Sequence, residues 1–309
     1  MAIELGPNQY GKAETRVVRV YRDGARHEIR DLNVSTLLRG DFGDAHARGD
    51  QASVLPTDSQ KNTCFAFAKE KGVGEIEDYA LDLARHFVND IGPVAAARIE
   101  VDEYRWERLA VAGQEHPHAF ARAGHDARTT AVTVTGQEPA QRAWVVSGIK
   151  DLVVLKSTGS EFSGFLKDRY TTLAETSDRI LATSLNARWR YQAGPVYQAG
   201  PPEVSWAEAY AQIRQVLLER FAAVHSLALQ QTLWEMGRAV LEARDDIAEI
   251  RLSAPNKHHF LADLSPFGLD NPGEVFHAAD RPYGLIQCAV QRGDAADPGP
   301  AWDSAAAFG

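Results

Sequence analysis

Ten histidines and two cysteines among 309 residues raise metal and nucleophile chemistry first, and their spacing supports neither. His258 and His259 are adjacent. On a strand, adjacent side chains point to opposite faces, so the two do not readily chelate one ion together. There is no His-Glu-x-x-His and no Cys-x-x-Cys, and His116, His118 and His125 read as a bland Pro-containing surface loop rather than ligands. No Gly-x-Ser-x-Gly elbow is present, and Cys64 and Cys288 sit in apolar, strand-like contexts as small buried hydrophobes. What remains is a scattered polar set: Lys12, Thr57 and Asp58, Phe162, Arg179, Gln230, Asn256 and His258. Each has an ordinary explanation. Lys12 reads as a solvated surface group, Thr57 as a helix N-cap and Asn256 as a turn former. Arg179 reads as one half of a surface ion pair with Asp178 or Glu175.

The elements that would position these groups follow from periodicity. Residues 15–21 and 27–38 alternate apolar and polar around Asp23-Gly24, the pattern of a β-hairpin. A Gly/Asp-rich loop occupies 40–52, and Thr57 opens a helix through 70. Ile76, Tyr79, Ala80, Leu83, Phe87 and Ile91 recur at helical spacing and predict an amphipathic helix over 75–91. Strands are expected at 95–111, 129–135 and 142–147. The second half repeats the order: strands at 149–157 and 181–192, then a Gly/Pro-rich connection at 193–202. Ser205 and Glu208 form a capping box for a helix bearing Ile213, Leu217, Phe221 and Val224, and Ser226 caps the next, with Leu229, Leu233, Met236 and Val240 on its stripe. A strand at 247–254, a turn at Pro255-Asn256-Lys257-His258 and a last strand near 284–291 complete the unit. The expected organisation is an N-terminal domain over 1–147, a C-terminal domain over 148–291 and a flexible tail over 292–309. Two successive units of paired strands, helices and further strands suggest an internal duplication. Antiparallel sheets with helices on one face, an α+β class, suit that order. A doubly wound parallel sheet and a nucleotide-binding fold do not, because no Gly-rich loop follows a strand.

Composition narrows the partners. Hydrophobic residues make up 44% and charged residues 24%, and 33 Lys plus Arg against 42 Asp plus Glu give a formal charge of −9. That balance disfavours a nucleic-acid backbone or an anionic membrane as main partner, without excluding a local cationic pocket for a small anion. No apolar run reaches the roughly 20 residues of a membrane helix, no signal-peptide pattern opens the chain and no disulfide framework is implied. A cytoplasmic protein is the expectation.

Together the polar residues and their surroundings resemble the urate oxidase (uricase) family over almost the whole chain. The segments that carry the resemblance are YGK at 10–12, PTDSQKNT at 56–63, LKSTGSEFSGFLKDRYTTLAETSDRILAT at 155–183, LQQTLWEM at 229–236 and PNKHHF at 255–260. The resemblance implies two tandem tunnelling-fold domains, two subunits closing a barrel and two barrels stacking as a homotetramer. It implies oxidation of urate by O2 to 5-hydroxyisourate and hydrogen peroxide, with neither metal nor organic cofactor. By the same likeness, Lys12 and Thr57 match the catalytic dyad and His258 a third catalytic residue. Arg179 and Gln230 match the pair gripping the purine, and Phe162 the ring stacked on it. Asn256 matches the group holding O2 or water over the ring, and Asp58 one whose backbone contacts urate. Leu229 stands where many members carry Val, which keeps a main-chain contact. The chain ends in Ala307-Phe308-Gly309, not in the Ser-Lys-Leu type tripeptide of peroxisomal members.

These residue types suit the reaction. Arg presents a planar fork to an anionic edge, Gln offers a donor beside an acceptor, and Phe gives an apolar face to stack on. Urate must lose a second proton before it reduces O2, so a base is required, and a lysine serves as one when burial or a nearby cation lowers its pKa. The resemblance further places each site where subunits meet. Thr57 and Asp58 are expected from the neighbour of the subunit supplying Phe162, Arg179, Gln230 and Asn256, with Lys12 and His258 on the latter side, so that the Lys-Thr dyad forms only on assembly. The rivals are a GTP cyclohydrolase-like or pterin-processing enzyme, which leans on a metal or an anchoring Glu, and a dead purine-binding homologue lacking Lys12, Thr57 or His258.

Overall fold

Alternating apolar residues fold here into longer strands than their hydrophobic pattern marks. The structure, a computed structural model, describes residues 3–192 and 205–304. In chain order the elements are β1 (Tyr10–Tyr21), β2 (Glu28–Gly40), α1 (Gly43–Arg48), α2 (Thr57–Glu70), α3 (Ile76–Asp90), β3 (Val94–Val111), β4 (Gln114–Thr135), β5 (Arg142–Lys156), β6 (Leu181–Tyr191), α4 (Trp206–Ala223), α5 (Leu229–Ala243), β7 (Ile247–Leu261) and β8 (Phe276–Gln291). They group into two compact units. The first comprises the described residues of Met1–Gly148, Arg190–Tyr210 and Ala296–Gly309; the second comprises Ile149–Trp189 and Ala211–Ala295. One division lies between Gly148 and Ile149, and stretches from later in the chain belong to the first unit.

In the first unit β1, β2, β3 and β4 pair antiparallel in chain order. Period two on β2 buries Leu32, Val34, Thr36 and Leu38. Three of the four are apolar; the fourth is a threonine. Helix α3 lies on β3 and β4, and α2 on β1. The helical spacing of α3 buries Ile76, Tyr79, Ala80, Leu83, Ala84, Phe87 and Val88, each large side chain contributing about 1.5–3 kcal/mol relative to exposure. Helix α2 buries a narrower stripe of Gln60, Cys64 and Ala68. In the second unit β5, β6, β7 and β8 follow one another in the sheet, and α5 packs on β7 and β8. Gly237 permits that packing: a Cβ there would lie 2.6 Å from Val290 Cγ2.

Several sequence expectations are corrected. Residues 114–128, read in part as a His-containing loop, are strand β4, and His116 and His118 stack edge to face at 4.5 Å. Residues 142–147 and 149–157 form one strand, β5, in which Asp151 takes φ 59°. Asn256 and His258 lie inside strand β7, not in a turn, with a break in register between them. The loop at 40–52 contains the short helix α1. Thr57 is the first residue of α2, not its cap; Pro56 holds the cap position, and no side chain caps the helix. Ser226 does not cap α5 either. Its hydroxyl accepts from Thr232 Oγ1, while Gln231 Oε1 takes the Leu227 N–H. Ser205 does cap α4, accepting the Glu208 N–H at 3.3 Å.

Composition suggested a flexible tail from Arg292. Where it is described, through residue 304, the tail is folded. Residues Gly299–Trp302 form a 3-10 turn whose Ala301 is buried with Ala131 and Val146, with Trp144 and Trp302 packed alongside. Buried Arg98 donates to the carbonyls of Pro300 and Ala301, and Arg39 pairs with Asp303 at 2.5 Å. The expected connection at 193–202 lies outside the described residues. Among the described residues, no helix is long and apolar enough to cross a membrane.

Candidate active site

The first unit gathers Lys12, Thr57 and Asp58. Lys12 sits at an irregularity of β1: pairing with β2 is regular up to Lys12 and resumes, shifted, at Thr15. Such bulges re-aim a side chain and leave backbone N–H groups without ladder partners. Here hydroxyls supply the partners. The Lys12 N–H donates to Thr36 Oγ1 at 3.3 Å, and the Glu14 N–H, with φ 58°, donates to Ser35 Oγ at 3.0 Å. Gly11 is required for this approach, because a Cβ there would stand 1.7 Å from the Thr36 carbonyl oxygen. Thr36 Oγ1 in turn donates to Gln60 Oε1 at 2.7 Å, and Gln60 lies one helical turn after Thr57.

Asp58 is exposed, and its carboxylate is occupied by its own helix. Hydrogen bonding from Lys61 holds its pKa below the usual carboxylate range, helped by the Lys61 charge, by Asn62 at 3.0 Å and, as the last contribution, by the charge of Lys12. With the side chain turned to Lys61 and Asn62, what the first turn of α2 offers an anion is its backbone N–H groups and the positive end of the helix. Lys12 is near enough to Asp58 to act on it within one chain, and α2 packs on β1. Within one chain Lys12 therefore lies on the side of Asp58, which favours a subunit boundary that keeps Lys12 and Thr57 together over one that parts them. The bulge in β1 and the start of α2 are parts of the same unit.

The second unit gathers the other set. The segment after β5 folds back through an antiparallel bridge between Phe162 and Thr176, with N–H···O distances of 2.9 and 3.0 Å. The Arg179 N–H bonds the Ser160 carbonyl at 2.8 Å. This loop is tied to the α4–α5 turn, where the Glu161 N–H donates to Ser226 O at 2.8 Å and the Ser226 N–H to Gly159 O at 2.9 Å. Lys156 also donates to the Val224 carbonyl at the end of α4. The first turn of α5 carries buried Leu229 and exposed Gln230, and Thr232 fastens that turn to Ser226 at 2.8 Å. Phe162, Arg179, Leu229 and Gln230, far apart in sequence, thus share one hydrogen-bonded framework.

Arg179 itself is left open. Its guanidinium carbon stands 5.3 Å from the centroid of the Phe162 ring, and Phe162 stacks on Phe165 at 4.9 Å. Its Nε is buried and has no hydrogen-bond partner, and burial lowers its pKa. The ordinary explanation, a surface ion pair, does not hold: Asp178 accepts from Thr158 and the Gly159 N–H, and Glu175 pairs with Lys167 at 2.9 Å. A buried cationic donor without a partner costs on the order of 1–3 kcal/mol and more when charged, which an anionic ligand would relieve. Asn256 and His258 are half-buried on β7, Asn256 opposite Gly284 and His258 opposite Ala279. The His258 ring lies near parallel to Phe260, 5.8 Å away. Among the described residues, no three His, Cys, Asp or Glu side chains gather to hold a metal ion.

Sequence reading passed over Thr36 and Gln60, although both carry a signal. Each is the single polar residue in an otherwise inward-facing stripe, Leu32-Val34-Thr36-Leu38 on β2 and Gln60-Cys64-Ala68 on α2.

Comparison with known proteins bears on the family and the fold. A sequence model of the family described as Uricase matches residues 8–133 and 145–287. The uricase of Arthrobacter globiformis is 51% identical over 306 residues, covering 99% of this chain and 96% of its own. The uricase of Oryctolagus cuniculus is 35% identical over 295 residues, covering 94% of this chain and 95% of its own. The crystal structure of the Arthrobacter globiformis uricase superposes with a TM-score of 0.90 at 50% identity, covering 98% of this chain and 100% of that one. A Bacillus urate oxidase shares the fold with a TM-score of 0.81 at 23% identity, over 92% of this chain and 100% of that one. Two repeats of strands and paired helices and these likenesses lead to one conclusion: the chain belongs to the uricase family.

Proposed function

We propose that this chain is a urate oxidase, converting urate, O2 and water to 5-hydroxyisourate and hydrogen peroxide. The observation that carries the reading is the buried, unpartnered Nε of Arg179 beside the Phe162 ring. A flat anion suits that pair, its edge on the guanidinium and its face on the ring. Gln230, with its donor and acceptor side by side, completes the grip on an amide edge, and the main chain of Leu229 stays within reach. The backbone N–H of Asp58, in the first turn of α2, meets the substrate from the other side.

Chemistry falls to the first unit's pair. Lys12 takes the second proton of urate through the Thr57 hydroxyl, and His258 orients or relays to Lys12. Asn256 holds O2, and later the attacking water, over one face of the ring. The doubly deprotonated purine supplies two electrons to O2, which leaves as hydrogen peroxide. Water then adds to the oxidised ring to give the 5-hydroxy product. The substrate is its own reductant, so the residues need only bind, orient and move protons.

The assembly belongs to the proposal as well. Large apolar side chains stand exposed on β5, β7 and β8, among them Val153, Leu155, Phe260 and Leu285, a surface that favours burial between subunits. The homotetramer built on two such barrels would bring Lys12, Thr57 and Asp58 of one subunit to Phe162, Arg179, Gln230, Asn256 and His258 of another. The test follows urate absorbance, O2 uptake and peroxide together in protein freed of metals with a chelator. Equal consumption of urate and O2 with equal release of peroxide is expected. Activity that vanishes on chelation and returns with a metal would refute the reading.

A further inference from the structure

We propose that Thr36 and Gln60 are positioning residues that set Lys12 against Thr57, an inference that rests on the assignment of proton transfer to those two. Hydrogen-bond direction fixes how these groups are arranged. The Leu55 carbonyl, two residues before Thr57, can only accept, and it receives both Gln60 Nε2 at 3.4 Å and the Tyr10 hydroxyl at 3.1 Å. That fixes the Gln60 amide with its nitrogen toward Leu55 and its oxygen toward Thr36. Thr36 must then spend its one hydroxyl proton on Gln60 Oε1, at 2.7 Å. A lone pair is left for the Lys12 N–H at 3.3 Å. Tyr10 joins the far end of the chain back to Lys12 through Gly11. The result is a closed circuit, Lys12–Thr36–Gln60–Leu55–Tyr10, in which every polar group has one permitted role.

The circuit joins the two places that matter. One end is the β1 bulge that aims Lys12; the other is the first turn of α2, where the Gln60 N–H bonds the Pro56 carbonyl at 3.2 Å and Thr57 follows directly. Thr36 and Gln60 are 1% and 0% exposed, each in a stripe otherwise apolar. Stability alone gives little reason for such a pair, since replacing both partners of a buried hydrogen bond by apolar groups of similar shape can be nearly neutral. An apolar contact, however, slides, whereas a hydrogen bond of fixed direction sets distance and angle. A Lys–Thr pair that passes a proton needs that definition, because a misplacement of about 1 Å can cost on the order of 100-fold in rate.

The test compares four full-length proteins: Thr36→Val, Thr36→Ser, the double variant Thr36→Val with Gln60→Met, and Lys12→Met. For each, kcat and KM, the pH–rate profile, the affinity for urate under anaerobic conditions and the melting temperature are measured. Thr36→Val should lose about 10- to 100-fold in kcat and shift the pH profile, while anaerobic urate binding changes by less than about threefold. Thr36→Ser, which keeps the hydroxyl, should recover most of the rate. The double variant, in which no Gln60 amide is left lacking its donor and only the Lys12 N–H stays unpaired, should recover much of the melting temperature but not kcat. If kcat returns together with melting temperature in the double variant, or never falls in Thr36→Val, the pair is merely structural and the inference is overturned. Should Thr36→Val fail to fold, the double variant carries the decision. Normal turnover in Lys12→Met would instead sink the assignment of the base, an outcome separate from those above.

Discussion

The two units of this chain prepare for substrate in opposite ways. Around Lys12, the Thr36 hydroxyl, the Gln60 amide and the Leu55 carbonyl all have partners, and the bulge in β1 is closed by Ser35 and Thr36, with the buried Thr15 hydroxyl beside it left unpaired. Around Arg179 the loop is just as firmly bonded through its backbone, yet the guanidinium Nε is buried with nothing to donate to. A group that must move a proton benefits from a geometry settled beforehand. A group that must hold a ligand benefits from a bond left unmade until the ligand arrives. The same fold, used twice, has been specialised at the level of hydrogen-bond satisfaction rather than of topology.

The sharpest way to break that contrast is to remove one member of each set and compare what is lost. Lys12→Met should reduce kcat by about 10²- to 10⁴-fold, the usual contribution of a general base. Urate affinity measured without O2 should stay near that of the parent. Lost affinity at undiminished kcat would reverse the assignment of roles. Arg179→Met should do the opposite, weakening urate binding by about 30-fold, or ~2 kcal/mol, as expected for a charge-assisted hydrogen bond. Because Arg179 Nε has no partner in the protein, that variant should melt no lower than the parent. A fall of several degrees would show that the arginine is a structural member after all.

A smaller effect tests the first unit's frame alone. Truncation after Pro298 removes the 3-10 turn, uncovers Trp144 and Val146 and deprives Arg98 of two acceptors. A loss of about 2–4 kcal/mol in denaturant stability is expected from the apolar area and the orphaned cation; an unchanged midpoint would mean that the turn rests on the unit without supporting it. The smallest effect concerns Cys64, whose thiol burial pushes from 9.0 up to about 12. The folded protein therefore binds this proton more tightly than the unfolded chain. Stability that the thiol contributes below the ordinary value is lost as pH rises from about 9 toward about 12. Thiol reagents at pH 8 should label Cys64 only on unfolding, and rapid labelling of the native protein would contradict the burial.

How much of this was legible depends on where alternation survives. The inward row of β2 and the stripe of α3 show plainly in sequence, because each has one buried and one wet side. The first half of β4 does not, since residues 114–122 have exposed or half-exposed side chains on both faces and so no in-and-out contrast to read. Ser226 looks like a cap by type and place, but its hydroxyl is taken by Thr232 inside the fold, a long-range choice that local pattern cannot register. Site residues were found by family likeness, and their individual chemistry was illegible for the same reason. Arg179 beside Asp178 and Glu175 looks paired in one dimension, whereas both acids face other donors in three. Thr36 and Gln60 could have been noticed as polar interruptions of apolar stripes, but nothing in the sequence says that they meet.

The docked segment before residue 304 has a consequence for how this chain comes into being. Residues 296–304 complete the first unit, although they are synthesised after the whole of the second. Arg98 finds its carbonyls, and Arg39 its Asp303, only after the second unit has been made. Arg39 also holds Gln9 at 3.0 Å, so one arginine gathers the stretch before β1 and the segment after β8. The first unit therefore waits, incompletely closed, while its twin emerges from the ribosome. Folding of this duplicated protein cannot run as a simple procession from front to back.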